Sequence, residues 1–140
     1  MKTAPIRILL VEDSLSDAFL LGELLKKVTE FDFDMIHSTD LSAGINQLAS
    51  NDFDAIILDL ELPDSFGLST YEKMREKADN TPIIIASGNA DRELMAQALN
   101  HGADNYLIKD AFDGNRIAIA VLSSIRNRNR DRKTPEQKAM

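Results

Sequence analysis

With 140 residues, 44% of them apolar and 28% charged, the chain has room for one hydrophobic core but not for two ordinary domains, and its balance lies outside the disordered and membrane classes. Its net charge of -7 is unevenly spread: residues 1–125 carry 10 Lys and Arg against 21 Asp and Glu, a net of -11, while residues 126–140 carry 6 against 2, a net of +4. An acidic body argues against nucleic-acid binding by the domain itself, and the lack of cysteine excludes disulfides, thiolate nucleophiles and zinc-thiolate sites.

The chain opens with "MKTAPIRILLVED", which meets acid before a leader-like apolar run develops. No stretch approaches the ~18 apolar residues of a membrane span. A cytoplasmic protein with no membrane contact is the expectation. The first predicted strand is Ile6 to Val11, nearly continuous in apolar residues, as suits a strand covered on both faces. Ser14 is a capping candidate for a first helix with Leu15, Phe19, Leu21, Leu25 and Val28 on or near one face. A second strand follows at Phe33 to Ser38, and a second helix from about Leu41, behind the cap candidate Asp40, turns Ile45, Leu48 and Ala49 inward. The third strand, Ala55 to Leu60, again reads as a doubly buried run. A third helix after Gly67 carries Leu68, Tyr71 and Met74. The fourth strand is Pro82 to Ser87, and a fourth helix from near Asp91 carries Leu94, Ala98 and Leu99, with Gly102 placed as its left-handed stop. The fifth strand is Asn105 to Lys109, and a fifth helix from near Asp113 buries Ile117, Val121, Leu122 and Ile125.

Strands alternating with helices in this way predict an α/β, doubly wound (βα)5 sandwich. The expected sheet is parallel, five-stranded and of order 2-1-3-4-5, with helices on both faces in the flavodoxin-like manner. Residues 1–128 form this domain, and residues 129–140 are expected to be a basic helix extension and tail or linker. The run "RNRNRDRK" reads as the solvated last turns of helix five leading into Thr134 and Pro135.

In such a sheet, chemistry gathers beyond the carboxyl ends of the strands. Those ends carry Glu12 and Asp13 after strand one, Asp59 in strand three, Ser87 after strand four and Lys109 after strand five. Each alone has a plain reading: a helix-start acid, a loop hydroxyl, a surface lysine. Together they converge, because strands one and three are neighbours. Three carboxylates within a few ångströms repel by about 1 kcal/mol or more per pair. A hard divalent cation is the natural offset, and magnesium takes such oxygen ligands. The absence of cysteine and of paired histidines disfavours zinc. With the ion in place Asp59 is able to attack phosphorus, while Lys109 takes up charge on the transferring oxygens and Ser87 donates its hydroxyl to one of them. His37 is expected to point off strand two, His101 to sit near a helix end, and neither to act as a phosphodonor.

The segments "ILLVEDS", "IILDLELPDSFGL", "PIIIASG" and "GADNYLIKD", in this order, resemble the receiver domain of bacterial two-component response regulators over roughly residues 5–128. The resemblance implies a phospho-accepting signalling domain, not a turnover enzyme, with Asp59 as the aspartyl-phosphate site. It implies magnesium on Glu12, Asp13, Asp59 and the backbone carbonyl of Glu61, and a sensor histidine kinase or histidine phosphotransfer protein as donor. It assigns Ser87 and Tyr106 as a switch pair, and helix 4, strand 5 and helix 5 as the output face and a possible homodimer surface. Glu61 and Asn89 occupy positions that in this family tune phosphoryl lifetime. The sequence departs from the family at Asp110, where proline is usual, so that a further carboxylate stands beside Lys109. Two rival functions share parts of the pattern. A haloacid-dehalogenase-type phosphatase also forms a phosphoaspartate, but "DLE" departs from its "DxD" and the acid pair after strand one is left unexplained. A phosphorylation-independent pseudo-receiver would keep the fold without the switch. A flavodoxin-like cofactor carrier would need Ser, Thr and Gly where this chain has Glu12 and Asp13.

Overall fold

The computed structural model describes residues 4–88 and 91–131. Its strands are β1 (Ile6–Val11), β2 (Phe33–Ser38), β3 (Ala55–Asp59), β4 (Glu61–Leu62), β5 (Ser65–Phe66), β6 (Ile83–Ser87) and β7 (Asn105–Ile108). Its helices are α1 (Leu15–Lys26), α2 (Leu41–Ser50), α3 (Leu68–Ala78), α4 (Arg92–Asn100) and α5 (Gly114–Asp131). The main sheet has the order β2-β1-β3-β6-β7, and every pairing in it is parallel. This is the 2-1-3-4-5 order expected of the five long runs.

The apolar runs at the centre of the sheet are buried on both faces, and alternate residues feed two cores. Leu9, Val11, Ile56 and Leu58 pack with Leu41, Tyr71, Met74 and Met95 from α2, α3 and α4. Ile8, Leu10, Ile57 and Ile84 pack with Ala18, Leu21, Ile117 and Val121 from α1 and α5. The period of two in the strands thus sorts the helices into layers of three and two.

Several ends are set by polar residues. Ser14 caps α1 by accepting from Asp17 N, and Asp40 caps α2 by accepting from Ala43 N. Asp64, in the turn between β4 and β5, also accepts from Leu41 N at 2.9 Å and Ser42 N at 3.0 Å, which ties that hairpin to the start of α2. These N–H groups hold its carboxyl below the ordinary value, against the opposing effect of burial. The stop of α4 is a Schellman turn: Gly102 has φ of 110°, its N–H reaches Leu99 O, and Ala103 N reaches Ala98 O. His101 stands at the C-cap of that helix. At the opposite end of the sheet from the strand-end acids, Asp104 joins Arg75 of α3 and Arg128 of α5 at 3.0 and 2.6 Å.

Several expectations need correction. Leu15 and Phe19 are exposed (69% and 71%), because the buried stripe of α1 runs through Ala18, Leu21 and Leu25, and Phe19 lies one residue, about 100°, round from it. Ala49 is exposed as well, and the buried positions of α2 are Leu41 and Gly44. β3 ends at Asp59, Pro82 precedes β6, and Lys109 opens a single 3-10 turn, Lys109–Ala111. The small β4–β5 hairpin was not predicted. No correction is needed at α5, which runs through residue 128 to Asp131, and Asn89, Thr134 and Pro135 lie outside the described residues. No helix among the described residues is long and apolar enough to cross a membrane.

Gly44 marks the closest approach of α2 to the sheet. A Cβ there would lie 2.7 Å from Cγ2 of Val11, a fully buried β-branched residue with a stiff χ1. Gly44→Ala is therefore expected to lower stability by about 1–3 kcal/mol despite its better helix propensity. Chemical denaturation of both proteins measures this, and equal or higher stability of the variant would contradict the packing described.

Candidate functional site

The register of the parallel sheet sets the strand ends side by side. Val11 pairs with Leu58, Asp59 with Ala86, and Ser87 with Ile108, so the residues following β1, β3, β6 and β7 emerge along one edge. Glu12 and Asp59 are buried there, at 3% and 4% exposure, while Asp13 faces solvent. Oxygen atoms of Glu12, Asp13 and Asp59 all lie within 4.8 Å of one another. Lys109 reaches into the group from the turn after β7. Its Nζ lies 2.6 Å from Glu12 Oε1 and 2.9 Å from Asp59 Oδ2.

The second oxygen of each buried carboxylate is met by a backbone donor. Ser14 N donates to Glu12 Oε2 and Glu61 N donates to Asp59 Oδ1. The backbone on either side of Glu12 is pinned too: Glu12 N donates to Ser38 O, and Glu12 O lies 2.7 Å from His37 Nε2. A carbonyl oxygen only accepts, so that ring nitrogen carries the proton. His37 thus braces the acidic turn from the neighbouring strand.

One ammonium, bonded to two of the three carboxylates, leaves the cluster short of positive charge. Burial pushes the Glu12 carboxyl up from 4.5 to about 7, with Asp59 adding to the rise and Lys109 and the Ser14 N–H opposing it. For Lys109, burial alone would lower the pKa, but its hydrogen bonds to Glu12 and Asp59 outweigh that and raise it. The two shifts are compatible: the ammonium gains from two anions, while each anion shares it. The raised Glu12 value means that the folded chain binds a proton the unfolded chain does not. Its contribution to stability is present in full below pH 4.5 and is lost as pH rises through about 7.

The structure brings Glu12, Asp13, Asp59 and Lys109 together as expected. Ser87 is buried at the end of β6, but its Oγ donates to Asp91 Oδ2 at 3.1 Å. Asp91 in turn pushes the exposed Glu61 carboxyl up, with burial adding to the effect. Tyr106 is 44% exposed on the edge strand β7, where it lines a shallow groove with Arg92, Met95 and Leu99 of α4. Asp110 is not among the partners of Lys109. The further carboxylate beside that ammonium is Asp17, at 3.5 Å from the first turn of α1. Asp17, Asp91 and the His37 brace were all missed in the sequence. The first two sit in the opening turns of helices that start at this sheet edge, and that position was the signal available.

The chain matches the family model described as the response regulator receiver domain over residues 8–122. The chain belongs to this receiver domain family. It is 34% identical over 114 residues to the cell cycle transcriptional regulator CtrA of Caulobacter vibrioides, covering 81% of this chain and 48% of that protein. It is 38% identical over 105 residues to the cell cycle response regulator CtrA of Brucella ovis, covering 74% and 44%. The chain thus spans about half the length of the curated relatives it matches. Among solved structures, the fold matches a CheY-like receiver domain protein from Methanospirillum hungatei JF-1 with a TM-score of 0.77 at 20% identity, covering 91% of this chain and 99% of that one. It also matches the receiver domain of a sensor histidine kinase from Pseudomonas aeruginosa PAO1, which has a magnesium ion coordinated in its active site cleft. That match has a TM-score of 0.72 and 28% identity, covering 87% and 98%.

Proposed function

We propose that this receiver domain accepts a phosphoryl group on Asp59 from a phosphohistidine donor, in a magnesium-dependent reaction, and relays the change to the face formed by α4, β7 and α5. The observation that carries the reading is the buried Asp59 carboxylate within 2.9 Å of the Lys109 ammonium, beside two further acids. Its donor set suits a hard dication, being all carboxylate oxygen with excess negative charge. Glu12, Asp13, Asp59 and the backbone carbonyl of Glu61 would hold magnesium, which when bound supplies charge neutralisation at the transferring oxygens.

The chain's own residues supply the rest. Asp59 forms the new O–P bond as the donor's N–P bond breaks and returns its electron pair to the imidazole. Lys109 places a positive charge beside the acceptor oxygens. Ser87 offers one hydroxyl proton to the bound phosphoryl group, and Tyr106, now outward, is the ring that follows it. Tyr106 and Ile119, both exposed, give the α4, β7 and α5 face the apolar character needed for an output partner or a second copy of the chain. Residues 1–128 act as the receiver, and residues 129–140 as a helix extension and tail or linker. A sensor histidine kinase or histidine phosphotransfer protein is the donor, and the cytoplasm the place of action. Family membership favours this reading over a haloacid-dehalogenase-type phosphatase or a pseudo-receiver.

Intact-mass measurement after incubation with acetyl phosphate tests the proposal. One phosphoryl adduct is expected with magnesium and none when the metal is chelated. No adduct under either condition would promote the pseudo-receiver. A second expectation follows from the Glu12 carboxyl, raised to about 7 by burial. A cation seated there must displace its proton, so magnesium affinity should fall as pH drops below that value. Calorimetric titration is expected to show binding about tenfold weaker near pH 6 than near pH 8. A flat pH profile would contradict the role given to Glu12.

A further inference from the structure

Asp91 stands at the N-cap position of α4, where an aspartate ordinarily accepts an N–H of the first helical turn, yet its side chain makes no cap bond. Its Oδ2 accepts the Ser87 hydroxyl instead. Ser87 is 1% exposed, so water has little access to that hydroxyl. A serine hydroxyl has one proton to donate. While that proton is given to Asp91 it is not available to an oxygen bound on Asp59. Both acceptors are anions, so each forms a charge-assisted bond and the competition is close.

We propose that Asp91 is a positioning residue that holds Ser87 Oγ away from the phosphoryl position and so weakens the site's grip on its phosphoryl group. The inference rests on the reading of Asp59 as acceptor and adds a residue outside the acid trio to the switch. Because Asp91 makes no cap bond, its replacement removes the restraint on Ser87 without removing a helix cap. Glu61, whose carboxyl faces Asp91, keeps an acid near this edge in every variant.

The test uses beryllofluoride with magnesium as the phosphoryl mimic, titrated into the parent, Asp91→Ala, Asp91→Asn, Ser87→Ala and the double variant Ser87→Ala/Asp91→Ala. Asp91→Ala is expected to bind the mimic about tenfold tighter than the parent, the scale of one exchanged hydrogen bond to a charged group, and Asp91→Asn to bind it with intermediate affinity. Magnesium affinity without the mimic should stay within about twofold, since the charge removed is not a ligand. In the Ser87→Ala background, Asp91→Ala should have no effect on affinity for the mimic, because no hydroxyl is left to release. A purely structural role for Asp91 would instead change affinity equally in both backgrounds. That result, or parental affinity in both Asp91 variants, overturns the inference while leaving Asp59 as acceptor. Failure of the parent itself to bind the mimic would overturn the acceptor reading first, and this inference with it.

Discussion

Asp59→Asn is expected to abolish phosphoryl labelling from acetyl phosphate while leaving the domain folded. The carboxamide has the same shape and its oxygen can still accept the Glu61 N–H that now meets Asp59 Oδ1. What it lacks is the anionic nucleophile, while Glu12 and Asp13 keep their role as neighbours of the acceptor. Stability should not suffer. Removing one of three carboxylates that lie within 4.8 Å of one another relieves repulsion of about 1 kcal/mol per pair. Lys109 keeps its 2.6 Å contact with Glu12. Thermal unfolding without magnesium should therefore place the variant at or above the parent, and mass spectrometry should find it unlabelled. Equal labelling of the two proteins would move the acceptor elsewhere.

Lys109→Ala is expected to slow labelling about 10²–10³-fold, the usual cost of removing one group that stabilises developing charge. Unlike Asp59→Asn, it should also destabilise the metal-free fold. Lys109 is only 18% exposed in its side chain, and its loss leaves the buried Glu12 and Asp59 without a counter-charge. Removing one partner of such a group costs about 3–5 kcal/mol in buried cases. The sign of the pH dependence follows from Glu12. Without the ammonium its pKa rises further, so the folded variant takes up a proton below that value and recovers stability as pH falls. Urea unfolding should therefore show a larger deficit near pH 8 than near pH 6, and magnesium should narrow the gap. A deficit independent of both pH and magnesium would mean that Lys109 acts as a packing residue.

The strands were legible because central parallel strands must be apolar on both faces, and the short runs rich in Ile, Leu and Val through Ile8 to Val11, Ala55 to Leu58 and Ile83 to Ile85 fit that demand and are buried. Once their order was known, topology alone placed Glu12, Asp13, Asp59 and Lys109 at one edge. The faces of α1 and α2 were less legible. Both helices carry apolar residues outside the buried stripe, and Phe19 and Ala49 were assigned to the wrong side because composition does not fix helix rotation. The partners of Lys109 and Ser87 were illegible for a related reason. A lysine has several rotatable bonds, and which acid it meets depends on where α1 begins. Asp110, adjacent in sequence, was the apparent competitor, whereas Asp17, arriving from the first turn of α1, is the observed one. Asp91 reads in the sequence only as the place near which a helix starts, whereas in the fold its carboxylate turns to Ser87.

The central claim is that one pocket holds a hard dication beside a phosphoryl-accepting carboxylate. A crystal structure grown with beryllofluoride and manganese, with anomalous scattering used to locate the metal, tests it most directly. One metal peak is expected, bounded by Glu12, Asp13, Asp59 and the Glu61 carbonyl, with the beryllofluoride on Asp59 and the Lys109 amine beside it. A metal peak away from these acids, or the mimic on any other residue, would contradict that claim.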